Sequence, residues 1–137
     1  MQAVDRRMAM ALGAAMLAPA TLDLPPARAE MYARHAGIQF LPGIRRIELG
    51  HWPVSFLSYK SIMIADYIVE PGAGFPPERM KYDTIFHVLD GEFRVKANRE
   101  FLVPAGAAFA CAAGESKEDT NTGQLDAVMR VITLKAR

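Results

Sequence analysis

The chain has 137 residues, 16 Lys and Arg against 15 Asp and Glu for a formal net charge of +1, and one cysteine. That length suits one domain, and a near-neutral chain carries no electrostatic footprint for nucleic acid. A lone cysteine forbids a disulfide within the chain, so packing has to hold the fold together.

Residues 1–29 read as a cleavable export signal. Arg6 and Arg7 form a charged start, MAMALGAAMLAPA at 8–20 supplies an apolar run, and Ala27-Arg28-Ala29 ends the segment in the small-residue pattern of a cleavage site. The run falls short of the roughly 20 residues that a spanning helix needs, so no transmembrane helix is expected in the mature chain. The expected cut lies between Ala29 and Glu30, which implies a periplasmic or secreted protein. The paired arginines admit a twin-arginine route, but the Phe-Leu-Lys that commonly follows such a pair is missing, and the general secretory route stays open. Cleavage leaves 13 basic and 13 acidic residues on 108. A neutral exported domain points to a small molecule or another protein as partner, not to nucleic acid or anionic lipid.

Residues 30–60 are expected to form an N-terminal arm, with a weak strand at 44–49. From 61 onward short β-rich runs alternate with turn residues. SIMIADYIVE at 61–70 is the strongest strand and is stopped by Pro71-Gly72. TIFHVL at 84–89 runs into Asp90-Gly91, a hairpin signal, and EFRVK at 92–96 alternates polar with apolar residues. After a turn at Ala97 and Asn98 come strands at 100–103 and 107–112, separated by Pro104-Ala105-Gly106. A polar loop is expected over 114–124 and a last strand over 125–134. No helical period is sustained after residue 30, which argues for an antiparallel sandwich or barrel.

The stretch GAGFPPERMKYDTIFHVLDG at 72–91 resembles the first motif of the cupin superfamily, G-x5-H-x-H-x3/4-E-x6-G. Gly72, Glu78, Met80, Thr84 and Gly91 reproduce its spacing from end to end. The second motif, G-x5-P-x-G-x2-H-x3-N, maps onto Asn98, Pro104, Gly106, Phe109 and Ala113. The resemblance covers residues 61–134 and implies an all-β, jelly-roll barrel behind the signal segment, with domains at 1–29, 30–60 and 61–137. It also implies a homodimer, paired through sheet faces or through the arm.

In that family two His and a Glu of the first motif and one His of the second hold a divalent metal. The corresponding positions here are Glu78, Met80, Thr84 and Phe109, a set poorly suited to a hard or borderline ion. No metal or other cofactor is therefore expected, with copper on Met80 and Cys111 as the minority alternative. Strand alternation turns His87 away from the barrel interior if Thr84 points in, and His35 and His51 lie upstream of the motifs.

The residues expected to line the barrel and bind a ligand are Glu78, Met80, Tyr82, Thr84, Phe86, Phe109, Cys111 and Met129. They describe a mostly apolar pocket with few polar groups. Three readings follow. The first is a module binding a small, largely apolar molecule without metal. The second is a lyase-, isomerase- or oxygenase-like enzyme, using atypical metal ligands or Glu78 with Tyr82 for proton transfer. The third is a non-catalytic dimeric interaction protein. Glu78 has its own bland alternative, a partner in Arg79 or Lys81 or plain exposure to solvent.

Overall fold

A computed structural model describes residues 32, 36–54 and 58–137. The expected signal segment and His35 lie outside the described residues. Ten strands follow in chain order: β1 (Ile38–Leu41), β2 (Ile44–Pro53), β3 (Tyr59–Val69), β4 (Gly74–Arg79), β5 (Asp83–Asp90), β6 (Glu92–Lys96), β7 (Glu100–Pro104), β8 (Ala108–Cys111), β9 (Ser116–Asn121) and β10 (Ala127–Ala136). A six-stranded sheet has the order β1-β2-β3-β10-β5-β8, and a four-stranded sheet has the order β4-β9-β6-β7. Every pairing is antiparallel. No helix among the described residues is long and apolar enough to cross a membrane.

The two sheets face each other, and alternation along each strand sorts the side chains. On β5, Thr84, Phe86 and Val88 are buried, while Ile85 and His87 are half-buried on the other face. Their register partners on β10, Thr133, Val131 and Met129, share the inner face. The sheets close most tightly around Ile44, Val69, Val88, Phe93, Val95, Ala127 and Met129, none of which has any exposed surface. Asn121 wires this end together. Its Nδ2 donates to the carbonyls of Val69 and Leu125, and its Oδ1 accepts from the Gly123 N–H.

Several elements differ from the sequence expectation. From Ile38 to Pro53 the expected arm is two strands, and β2 pairs with β3 along its whole length. The β-branched residues of SIMIADYIVE form most of β3, which ends at Val69 before a turn with Gly72 at φ 81°. Asp90-Gly91 is not a hairpin turn. It is a corner that carries the chain from the larger sheet to the smaller, since β5 pairs with β10 and β8 whereas β6 pairs with β7 and β9. Gly91 has φ 82°, and a Cβ added there would stand 2.6 Å from the Ala127 Cβ, so the corner needs both the left-handed backbone and the missing side chain. The polar run expected as a loop over 114–124 is strand β9 from Ser116 to Asn121, in the middle of the smaller sheet.

The outer face of the larger sheet carries a second polar anchor. Asp66 on β3 has no exposed surface and accepts two hydrogen bonds from Arg130 on β10, at 2.8 and 2.9 Å. Tyr32 donates its hydroxyl to the same carboxylate, which fixes this residue against the outside of the barrel. Burial, then the Asp66 contact, raises the Tyr32 phenol above its ordinary range.

Candidate functional site

Strand β9 contributes the polar centre of the barrel. Its sequence, SKEDTN, alternates by burial and not by polarity: Lys117, Asp119 and Asn121 face inward, while Ser116, Glu118 and Thr120 face outward. Lys117 is 4% exposed and Asp119 is fully buried, and the ammonium donates to Asp119 Oδ2 at 2.8 Å. Side chains two apart on a strand share a face, so one short segment delivers both charges into the interior. A buried charge needs a partner, and each of these supplies the other's.

Aromatic rings complete the setting. Lys117 Nζ lies 4.2 Å from the centroid of Phe86 and 5.4 Å from that of Phe75, within cation–π range. Phe86 stacks on Phe109 with centroids 4.8 Å apart, and Phe101 meets Phe109 edge-on at 6.0 Å. Phe75 meets Tyr67 edge-on at 5.2 Å, and Tyr67 in turn meets Phe40. Phe75 and Phe109 are only half-buried, so the charge pair stands beneath rings that reach the surface.

The pair is not fully spent. Asp119 Oδ1 is buried and has no hydrogen-bond partner. Lys117 has three N–H groups, one of which goes to Asp119. Burial raises the Asp119 carboxyl above the usual carboxylate range, Lys117 pulls it back, and Glu78 across the sheet pushes it up again.

The residues expected to line the site are distributed unequally. Glu78 is exposed on β4, directly across the sheet from Lys117 in register. Met80, Thr84, Phe86, Cys111 and Met129 are buried. Thr84 spends its hydroxyl on the Tyr82 carbonyl at 2.7 Å and faces Cys111 in register. The Tyr82 ring is flanked by the ammonium groups of Lys81 and Lys135 at 5.9 and 5.8 Å. Arg79, the nearby alternative partner for Glu78, donates to the Gly114 carbonyl instead. His87 sits opposite Arg130 and Ala108 on the outward side of β5, and His51 is exposed on β2. Lys117 and Asp119 were missing from the expected set, because a run polar on both faces shows no hydropathy period.

These side chains do not fit a divalent ion. Of the four positions that correspond to the family's metal ligands, Glu78 faces solvent, Met80 offers a thioether, the Thr84 hydroxyl is committed and Phe109 has no donor. Among the described residues no three His, Cys, Asp or Glu side chains are grouped to hold a metal. Burial pushes the Cys111 thiol up to about 11, against the thiolate that copper would want. A cation is nevertheless present: the Lys117 ammonium lies over Phe86, two residues along β5 from Thr84, with Glu78 opposite on β4. Elsewhere, a cavity of about 130 Å³ on the outer face of the smaller sheet is lined by Arg94, Lys96, Glu118, Thr120 and Thr122. Its charges are mixed, and Arg94 is tied to Glu100 at 3.1 Å.

No protein-family model and no curated protein sequence matches this chain. Solved structures do. KdgF from Halomonas sp. superposes with a TM-score of 0.62 at 20% identity, covering 74% of this chain and 89% of that one. An RmlC-like cupin from Shewanella frigidimarina gives 0.59 at 18% identity, covering 72% and 82%. The cupin domain of Cnp3 from Schizosaccharomyces pombe gives 0.58 at 16% identity, covering 72% and 69%. At such identities the likeness concerns the fold alone, and on it this chain has the fold of the cupin superfamily.

Proposed function

We propose that this protein is an exported cupin that holds a small molecule within its barrel without a metal centre. The observation that supports this reading is the Lys117–Asp119 pair, a desolvated ammonium and carboxylate among Phe75, Phe86 and Phe109, with one carboxylate oxygen unpaired. Apolar walls with a few placed polar groups are the usual make-up of a ligand site, and a buried polar atom without a partner calls for one. Within this reading Met80, Thr84, Cys111 and Met129 form the walls, and Glu78 stands at the rim. Export rests on the first 29 residues, which carry the paired arginines, the apolar run and the small-residue ending.

A second reading, a dimeric interaction protein, is favoured by edge strand β1, where Ile38 and Phe40 are 77% and 48% exposed. Apolar side chains on a strand that has no outer neighbour among the described residues invite a partner strand, and a second copy of this chain is the partner proposed. One experiment addresses both readings. Native mass spectrometry of the protein purified from its own host is expected to show a small organic adduct that leaves on activation, at the mass of a dimer. A bare polypeptide mass after gentle ionisation contradicts the binding reading, and a monomer at micromolar concentration contradicts the second.

A further inference from the structure

The ligand site has a chemical preference written into its charges. Lys117 and Asp119 together are close to neutral, and both are withdrawn from water. A carboxylate brought against this pair would stand near Asp119, with Glu78 on the neighbouring strand adding to the repulsion. An ammonium or guanidinium would be repelled by Lys117. Burying an extra charge of either sign without its own partner is costly. The ligand that fits is therefore uncharged.

The unspent hydrogen-bonding groups narrow it further. Asp119 Oδ1 has no hydrogen-bond partner from another residue, and its fellow oxygen Oδ2 already holds Lys117 Nζ at 2.8 Å. The ammonium has N–H groups left to give, with the Phe86 ring 4.2 Å away on one side. A donor next to an acceptor in one small molecule answers both at once, the hydroxyl to Oδ1 and the neighbouring oxygen to Nζ. Phe75 beside Asp119 in register and the Phe86–Phe109 stack leave the rest of that molecule an apolar surround.

Resting on the reading of the barrel as a ligand site, we propose that Lys117 and Asp119 recognise neutral α-hydroxy carbonyl compounds. The hydroxyl donates to Asp119 Oδ1 and the carbonyl oxygen accepts from Lys117 Nζ. No covalent step is involved.

The test compares three small probes on the full-length isotope-labelled chain, followed by amide chemical shifts: methyl lactate, ionised lactate and methyl propionate. Lactate replaces neutrality with charge, and methyl propionate lacks the hydroxyl. Methyl lactate is expected to shift the signals of Phe86, Lys117 and Asp119 saturably, at least about tenfold more tightly than either comparator, as the loss of one buried hydrogen bond implies. Lys117→Arg and Asp119→Asn are expected to erase the preference. If all three probes bind these residues equally, the assigned class is wrong although the barrel still binds ligands. If none shifts them, because a resident water satisfies Oδ1, the inference is overturned, and the adduct in the native mass spectrum decides the broader reading separately.

Discussion

Lys117 is the only buried lysine among the described residues, and its ammonium has three neighbours: Asp119 for the charge, and the Phe75 and Phe86 rings within cation–π range. Removing the ammonium while keeping the carboxylate leaves a buried, unpaired charge. Lys117→Met is expected to lower stability by about 3 to 5 kcal/mol at neutral pH in urea titration. The loss has a pH signature. The folded-state pKa of Asp119 already lies above its unfolded value and rises further without Lys117. A raised carboxyl contributes stability that is complete below the unfolded value, near 3.8, and lost as pH rises through the folded one. The variant is therefore expected to regain ground on the parent as pH falls toward that value. A pH-independent gap between the two shows that Asp119 is not the group left unpaired. Of the expected lining residues, Met80, Thr84, Phe86, Cys111 and Met129 are buried, a placement that alternation along a strand makes visible in a sequence. Lys117 escaped because its strand is polar on both faces, and only the burial of every second residue distinguishes them.

At the scale of elements, turn chemistry marked where strands end more faithfully than which strands pair. Pro71-Gly72, Asp90-Gly91 and Pro104-Ala105-Gly106 all fall at strand ends, with Gly72, Gly91 and Gly106 at φ 81°, 82° and 92°. Yet an Asp-Gly step that reads as a hairpin joins strands of different sheets, because the partner of β5 is the distant β10 and local sequence carries no record of it. The same limit hid β1 and the extent of β2, whose exposed residues have little apolar alternation until they are set against β3. Gly91→Ala tests the corner directly. The left-handed backbone and the approach to the Ala127 Cβ are expected to cost about 2 kcal/mol or more, read as a lower thermal midpoint. A midpoint within a degree of the parent means that the corner has room to relax.

At the scale of the molecule, spacing alone carried the fold. The spacing from Gly72 to Gly91 matches the motif although none of the four positions corresponding to metal ligands is a histidine, and the chain forms two antiparallel sheets around one core. Glycine and proline positions set the turns of this fold, and the inward side chains set the chemistry of its interior. Here the inward set supplies its own cation. We propose that the Lys117 ammonium occupies the role a divalent ion would otherwise take, and metal content tests this most directly. Elemental analysis of the protein purified from its own host, without chelators, is expected to find no stoichiometric transition metal. One equivalent of iron, manganese, nickel, zinc or copper per chain, lost together with stability on chelation, contradicts it.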